Sequence, residues 1–107
     1  MSKIQIDIPI GKIEIFCIKW KVRELSFFGS VLRDDFDPVK SDLDILVLFN
    51  EKAGTTLFDL VEMKDELEIL FKRKVDLISK RGIQESTNPY RKKEILESAK
   101  VIYIEAT

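Results

Sequence analysis

Asp42-Leu43-Asp44-Ile45-Leu46-Val47-Leu48-Phe49 opens on two acids and then turns apolar at every position, and its reading decides the fold. Alternation of side chains along a strand would put Asp42 and Asp44 on one face, with Cα atoms about 6.5–7 Å apart. The run beyond Asp44 is apolar on both faces, which suits a central strand covered on two sides. An Asp beside such a run sits near buried surface, where an unpaired charge is expensive. Hard cations with oxygen ligands would relieve that cost, and Mg²⁺ favours a few carboxylates plus substrate phosphates.

Upstream, Arg23 to Phe28 reads as a strand ending at Gly29-Ser30. A glycine turn after a strand can offer backbone N–H groups and a hydroxyl to phosphate oxygens. Arg33, one turn on, either reaches the same phosphates or pairs with Asp34, Asp35 or Asp37. Downstream, Val75 to Ser79 is a further strand, and Asp76 within it is disfavoured both in β structure and in a core. The residue is either an ordinary partner for Lys72, Arg73 or Lys74, or the third acid of a cluster on a strand beside Asp42 and Asp44. Three such carboxylates suit two-metal catalysis, with the third as base or ligand for an incoming hydroxyl.

The remaining elements follow from periodicity and caps. Ile4, Ile6, Ile8 and Ile10 alternate with other residues as in a short strand, which Pro9 confines to an edge. Gly11 to Lys21 fits a helix loosely through Ile15, Cys17, Ile18 and Val22, and Ser30 to Asp37 has room for a short helical turn. Thr55-Thr56 caps a helix whose apolar stripe is Leu57, Leu60, Val61, Leu67, Leu70 and Phe71, with Asp59 in its first turn. Asn88-Pro89 opens another helix to about Glu97, and Val101 to Ile104 forms a last short strand. The expected class is α+β, a sheet with helices packed on it.

Composition removes several functions. With no histidine, imidazole acid–base chemistry, Ser-His-Asp triads and imidazole-based zinc sites are absent. A net charge of −1 gives no basic stripe, so a nucleic-acid substrate is not expected. Cys17 has no partner for a disulfide, and among Ile15, Phe16 and Ile18 it reads as a buried thiol rather than a nucleophile. The longest apolar run is too short for a bilayer, and no signal-peptide pattern opens the chain; a cytoplasmic location is the expectation. The acids between Asp34 and Asp44 lack the central Gly and terminal Glu of a calcium loop, and no P-loop sequence occurs.

Phe28-Gly29-Ser30-Val31-Leu32-Arg33, Ser41-Asp42-Leu43-Asp44-Ile45-Leu46-Val47 and Lys74-Val75-Asp76-Leu77-Ile78 together resemble the DNA polymerase β nucleotidyltransferase superfamily. Within it the chain resembles the minimal nucleotidyltransferase (MNT) antitoxins encoded beside HEPN-domain toxins. The resemblance runs from Leu25 onward and implies a polymerase β-like fold with a mixed sheet. It implies that Asp42, Asp44 and Asp76 are the Mg²⁺-binding catalytic acids, and that Gly29 and Ser30, with Arg33 near them, contact the triphosphate of ATP. It further implies transfer of AMP to a tyrosine hydroxyl of a HEPN RNase toxin, which silences it. Leu32 and Asp34 stand where many members have Ala and Gly. At 107 residues, read as one domain, there is no room for an acceptor-holding domain, so the acceptor is expected in trans. Phe36, Trp20 and Tyr90 are candidate contacts for it, although packing accounts for each equally. Two other readings remain: an antitoxin acting by binding alone, and an enzyme modifying a small molecule such as an aminoglycoside.

Overall fold

A computed structural model describes residues 6–33, 37 and 41–106. Its order is α1 (Ile10–Lys19), β1 (Val22–Phe28), a 3₁₀ turn (Gly29–Leu32), β2 (Leu43–Phe49), α2 (Leu57–Phe71), β3 (Val75–Ser79), α3 (Lys80–Gln84), α4 (Pro89–Ser98) and β4 (Lys100–Ile104). The four strands form one mixed sheet in the order β3-β2-β1-β4. β1 runs antiparallel to both β2 and β4, whereas β2 and β3 are parallel. A parallel neighbour needs a crossover connection, and α2 supplies it. The chain therefore has the α+β architecture expected from its sequence.

The pleat sorts the side chains of β1, β2 and β3 into two layers. Leu25, Phe27, Leu43, Ile45, Val47 and Val75 point to one face, where α1 and α2 close the main core through Ile13, Phe16, Cys17, Met63, Leu67 and Phe71. Phe27 and Phe71 meet edge to face, with ring centroids 5.7 Å apart. The other face carries a smaller cluster in which Phe28 and Leu46 pack under Ile83 of α3 and Ile95 of α4. Asp44 and Asp76 share the parity of that second face.

Local signals set the element ends. Thr56 and Asp59 form a reciprocal capping box at the start of α2, and Lys72 ends the helix in the left-handed region. Asn88 accepts from the N–H groups of Tyr90 and Arg91, with Pro89 in the first turn of α4. Ser41 N–H donates to the Asp37 carbonyl at 2.9 Å and Asp37 N–H to Ser41 Oγ at 3.0 Å, which fixes the approach to β2.

Four expectations need correction. Residues 6–9 form no strand and Ile10 starts α1, because Pro9 suits a helix entrance better than a strand; Ile4 lies outside the described residues. In α1 the buried positions are Ile13, Phe16 and Cys17, while Ile15 and Ile18 are exposed and Val22 belongs to β1. In α2 the core line runs through Met63, Leu67 and Phe71, spaced four residues apart on one helical face, while Leu57 and Val61 are exposed. The helical turn after Ser30 is the 3₁₀ turn Gly29–Leu32, and residues 34–36 lie outside the described set. No helix among the described residues is long and apolar enough to cross a membrane.

Candidate active site

Asp44 and Asp76 are register partners on the parallel strands β2 and β3. Side chains at paired positions stand on the same face of a sheet. Two acids remote in sequence are thus brought side by side, as the cluster reading of Asp76 requires. Asp76 is exposed, so the alternative reading as a buried ion-pair partner is not what the fold builds. Asp42 lies one residue ahead of β2, also exposed, and close enough for its charge to act on Asp44.

Asp44 carries the strongest electrostatic signature of the site. Its carboxyl is pushed above the usual carboxylate range, first by burial, then by the charge of Asp76 and less by that of Asp42. The backbone N–H of Ser30 donates to it and Arg33 lies near, and both oppose the rise. The sequence suggested that the Ser30 N–H was free for phosphate; here Asp44 accepts it.

Gly29 gains a second reason to be glycine. Its φ is +71°, in the left-handed region, and a Cβ there would collide with Oδ2 of Asp44 and stand 3.3 Å from its Cγ. The glycine lets the turn after β1 approach the Asp44 carboxylate on the adjacent strand, since Phe28 pairs with Asp44. Strand, glycine corner and acid form one unit.

A cavity of about 600 Å³ adjoins this corner. Phe28, Gly29, Leu32 and Arg33 line it from the end of β1 and the turn after it, and Arg91, Glu94, Ile95 and Ser98 line it from α4. These α4 residues escape a motif search, yet Arg91, Glu94, Ile95 and Ser98 have the spacing of one helical face. Ile95, the buried anchor, indicates which face turns inward.

Of the other candidate residues, Cys17 is fully buried on the opposite face and its thiol is pushed up to about 12 by desolvation, which removes it as a nucleophile. Trp20 donates from Nε1 to Glu66 at 2.5 Å and ties α1 to α2. Tyr90 is exposed at the start of α4, and Phe36 lies outside the described residues.

The donor set fits a divalent cation of the magnesium type. Among the described residues no three or more His, Cys, Asp or Glu side chains are gathered into a group that could hold a metal ion by itself, so the structure pairs Asp44 with Asp76 without closing the expected three-acid cluster around Asp42. Mg²⁺ does not need one, since it is usually held by one or two carboxylates together with substrate phosphates. The burial of the Asp44 carboxyl and the charges of Asp76 and Asp42 beside it are what such a cation would offset.

A family model described as a nucleotidyltransferase domain matches residues 11–102. The chain belongs to this nucleotidyltransferase family. Two Methanocaldococcus jannaschii proteins provisionally named as protein adenylyltransferases are 38% and 41% identical to it over 86 residues, 80% of each chain. The solved structure of a protein provisionally described as a minimal nucleotidyltransferase superposes with a TM-score of 0.65 at 33% identity, covering 85% of this nucleotidyltransferase and 86% of the other chain. A Shewanella oneidensis complex of tri-AMPylated HEPN toxin with MNT antitoxin contains a chain with a TM-score of 0.60 at 20% identity, covering 90% and 70% respectively. A toxin–antitoxin structure with AMP-PNP gives 0.66 at 20% identity, covering 92% and 75%. The last two likenesses are of fold.

Proposed function

We propose that this nucleotidyltransferase is a protein adenylyltransferase and an antitoxin. It transfers AMP from ATP to a tyrosine hydroxyl of a HEPN-domain toxin and so neutralises it. The observation that carries the reading is the register pairing of Asp44 with Asp76 beside the Gly29 corner. The names of the M. jannaschii relatives support a protein acceptor, and the toxin–antitoxin complexes of the same fold support its kind.

In this reading Asp42, Asp44 and Asp76 would hold Mg²⁺, which would supply charge neutralisation at the phosphates and at the attacking oxygen. Gly29 and Ser30 seat the triphosphate against the end of β1, with Arg33 adding positive charge. The acceptor oxygen attacks the α-phosphorus as the bond to the bridging oxygen of the β-phosphate breaks, and pyrophosphate leaves. Asp76, exposed at the edge strand β3, takes the hydroxyl proton. The arrangement works by positioning and charge, which dominate phosphoryl-type transfer.

The test is Asp42→Asn combined with Asp44→Asn, incubated with α-labelled ATP and the HEPN-domain protein encoded by the adjacent reading frame. Label transfer should be lost while the fold is retained. Undiminished labelling by the double variant would overturn the assignment of the acids.

A further inference from the structure

Arg91 lines the 600 Å³ cavity together with Gly29 and Arg33, on a helix that no acid-centred motif reaches. Its backbone N–H is taken by the Asn88 side chain, which pins the first turn of α4. No ion pair is formed by its guanidinium among the described residues, although α4 carries Glu94 one turn away. Beneath it, Ile95 is locked against Phe28 and Leu46 in the second core cluster, so the wall that carries Arg91 is fixed to β1 and β2. Phe28 immediately precedes Gly29 and pairs with Asp44. The same packing that seats α4 therefore sets the distance between Arg91 and the glycine corner.

A cavity lined by two arginines from different elements, Arg33 after β1 and Arg91 on α4, beside a glycine turn suits a polyanion better than a planar base. Arg forks are matched to phosphate oxygens and hold them bidentately. We propose that Arg91 is a substrate-binding residue that holds the β- and γ-phosphates of the nucleotide from α4, in the cavity it shares with Arg33, and offsets the charge of pyrophosphate as it leaves. The inference rests on the nucleotidyltransferase reading of the neighbouring acids and adds to it a contact from α4.

The test uses the full chain with Arg91→Ala and Arg91→Lys, and measures binding of ATP, inorganic tripolyphosphate and AMP by calorimetry in Mg²⁺ buffer. Loss of a charge-assisted phosphate contact should weaken ATP and tripolyphosphate roughly 10- to 100-fold in Arg91→Ala. AMP binding should be unchanged, because AMP lacks both distal phosphates, and Arg91→Lys should restore part of the loss. In transfer assays KM for ATP should rise more than kcat falls. Equal tripolyphosphate affinity in wild type and Arg91→Ala overturns the inference, as does an equal loss for AMP. If wild type itself binds neither ATP nor tripolyphosphate, the nucleotidyltransferase reading fails and this inference fails with it.

Discussion

Replacing Gly29 by alanine separates two costs that usually arrive together. Gly29 and Gly54 both lie in the left-handed region, at φ +71° and +54°. Around Gly54 there is nothing within 4 Å of an added Cβ, whereas at Gly29 the Cβ meets the Asp44 carboxylate. Gly54→Ala therefore incurs only the backbone term. A left-handed Cβ costs roughly 1–2 kcal/mol, partly offset by about 0.4–1 kcal/mol of lost unfolded-state freedom, for a net of about 1 kcal/mol. Gly29→Ala incurs the same term and must also displace Asp44, straining its bond from the Ser30 N–H. A hydrogen bond to a charged group contributes about 1.5–3 kcal/mol, and the lower end applies to a half-buried carboxylate.

Thermal unfolding should accordingly show Gly29→Ala falling about 2.5 times as far as Gly54→Ala, near 10 °C against 4 °C at roughly 4 °C per kcal/mol. The functional difference should be larger. Misplacing a group at the chemistry by about 1 Å can cost on the order of 100-fold, so Gly29→Ala should lose about that much label transfer from ATP. Gly54→Ala should stay near wild type. Equal melting drops for the two variants, or transfer by Gly29→Ala within twofold of wild type, would refute the close approach as the reason for the glycine.

Two further outcomes concern charge and capping. Asp44 has a folded-state pKa raised above its unfolded value, so its contribution to stability is present below the unfolded pKa and lost as pH rises through the folded pKa. Asp44→Asn removes that loss: its melting temperature should exceed wild type near neutral pH, the difference should shrink on acidification, and Mg²⁺ should stabilise wild type more than the variant. A lower melting temperature for Asp44→Asn at neutral pH would contradict the cause assigned to the shift. Thr56→Ala deletes the capping box at the start of α2 and should cost about 1 kcal/mol, measured by urea unfolding. Transfer should be unaffected at saturating ATP, since α2 covers the sheet face opposite the acids.

Much of this was legible in the sequence, for identifiable reasons. β2 declares itself through the unbroken apolar run Ile45 to Phe49, which suits a central strand, and α2 through a capping pair ahead of a long amphipathic run. Asp76 stood out because a carboxylate inside Val75-Asp76-Leu77-Ile78 conflicts with its own surroundings. Other features depended on tertiary placement. α3 is a single five-residue helix containing Gly82, with only Ile83 buried, too short to show a period. The exposed Leu57 and Val61 obey helical spacing as well as the buried positions do, and only the packing of the helix on the sheet decides between them. The role of Gly29 against Asp44 depends on a strand pairing that local sequence does not encode. Arg91 sits in a run of charges, Arg91-Lys92-Lys93-Glu94, that reads as an ordinary solvated face until Ile95 is seen to be buried.

The division of the sheet into two unequal faces explains how a chain this small supports a charged site. The face under α1 and α2 holds the larger cluster, where Leu43, Ile45, Val47 and Val75 are almost wholly buried. Those residues alternate with Asp44, Leu46 and Asp76, so each acid on these strands is flanked by positions that carry packing. The second face needs only Phe28, Leu46, Ile83 and Ile95 to hold α3 and α4, and it leaves the end of the sheet near Asp42, Asp44 and Asp76 uncovered. Strand alternation thus lets the same short segments anchor the core and present like charges together, at a local electrostatic cost that the opposite face offsets. A substitution in the large cluster should therefore unfold the protein before it alters the site, whereas a change at Gly29 or Asp44 alters the site while most of the core remains.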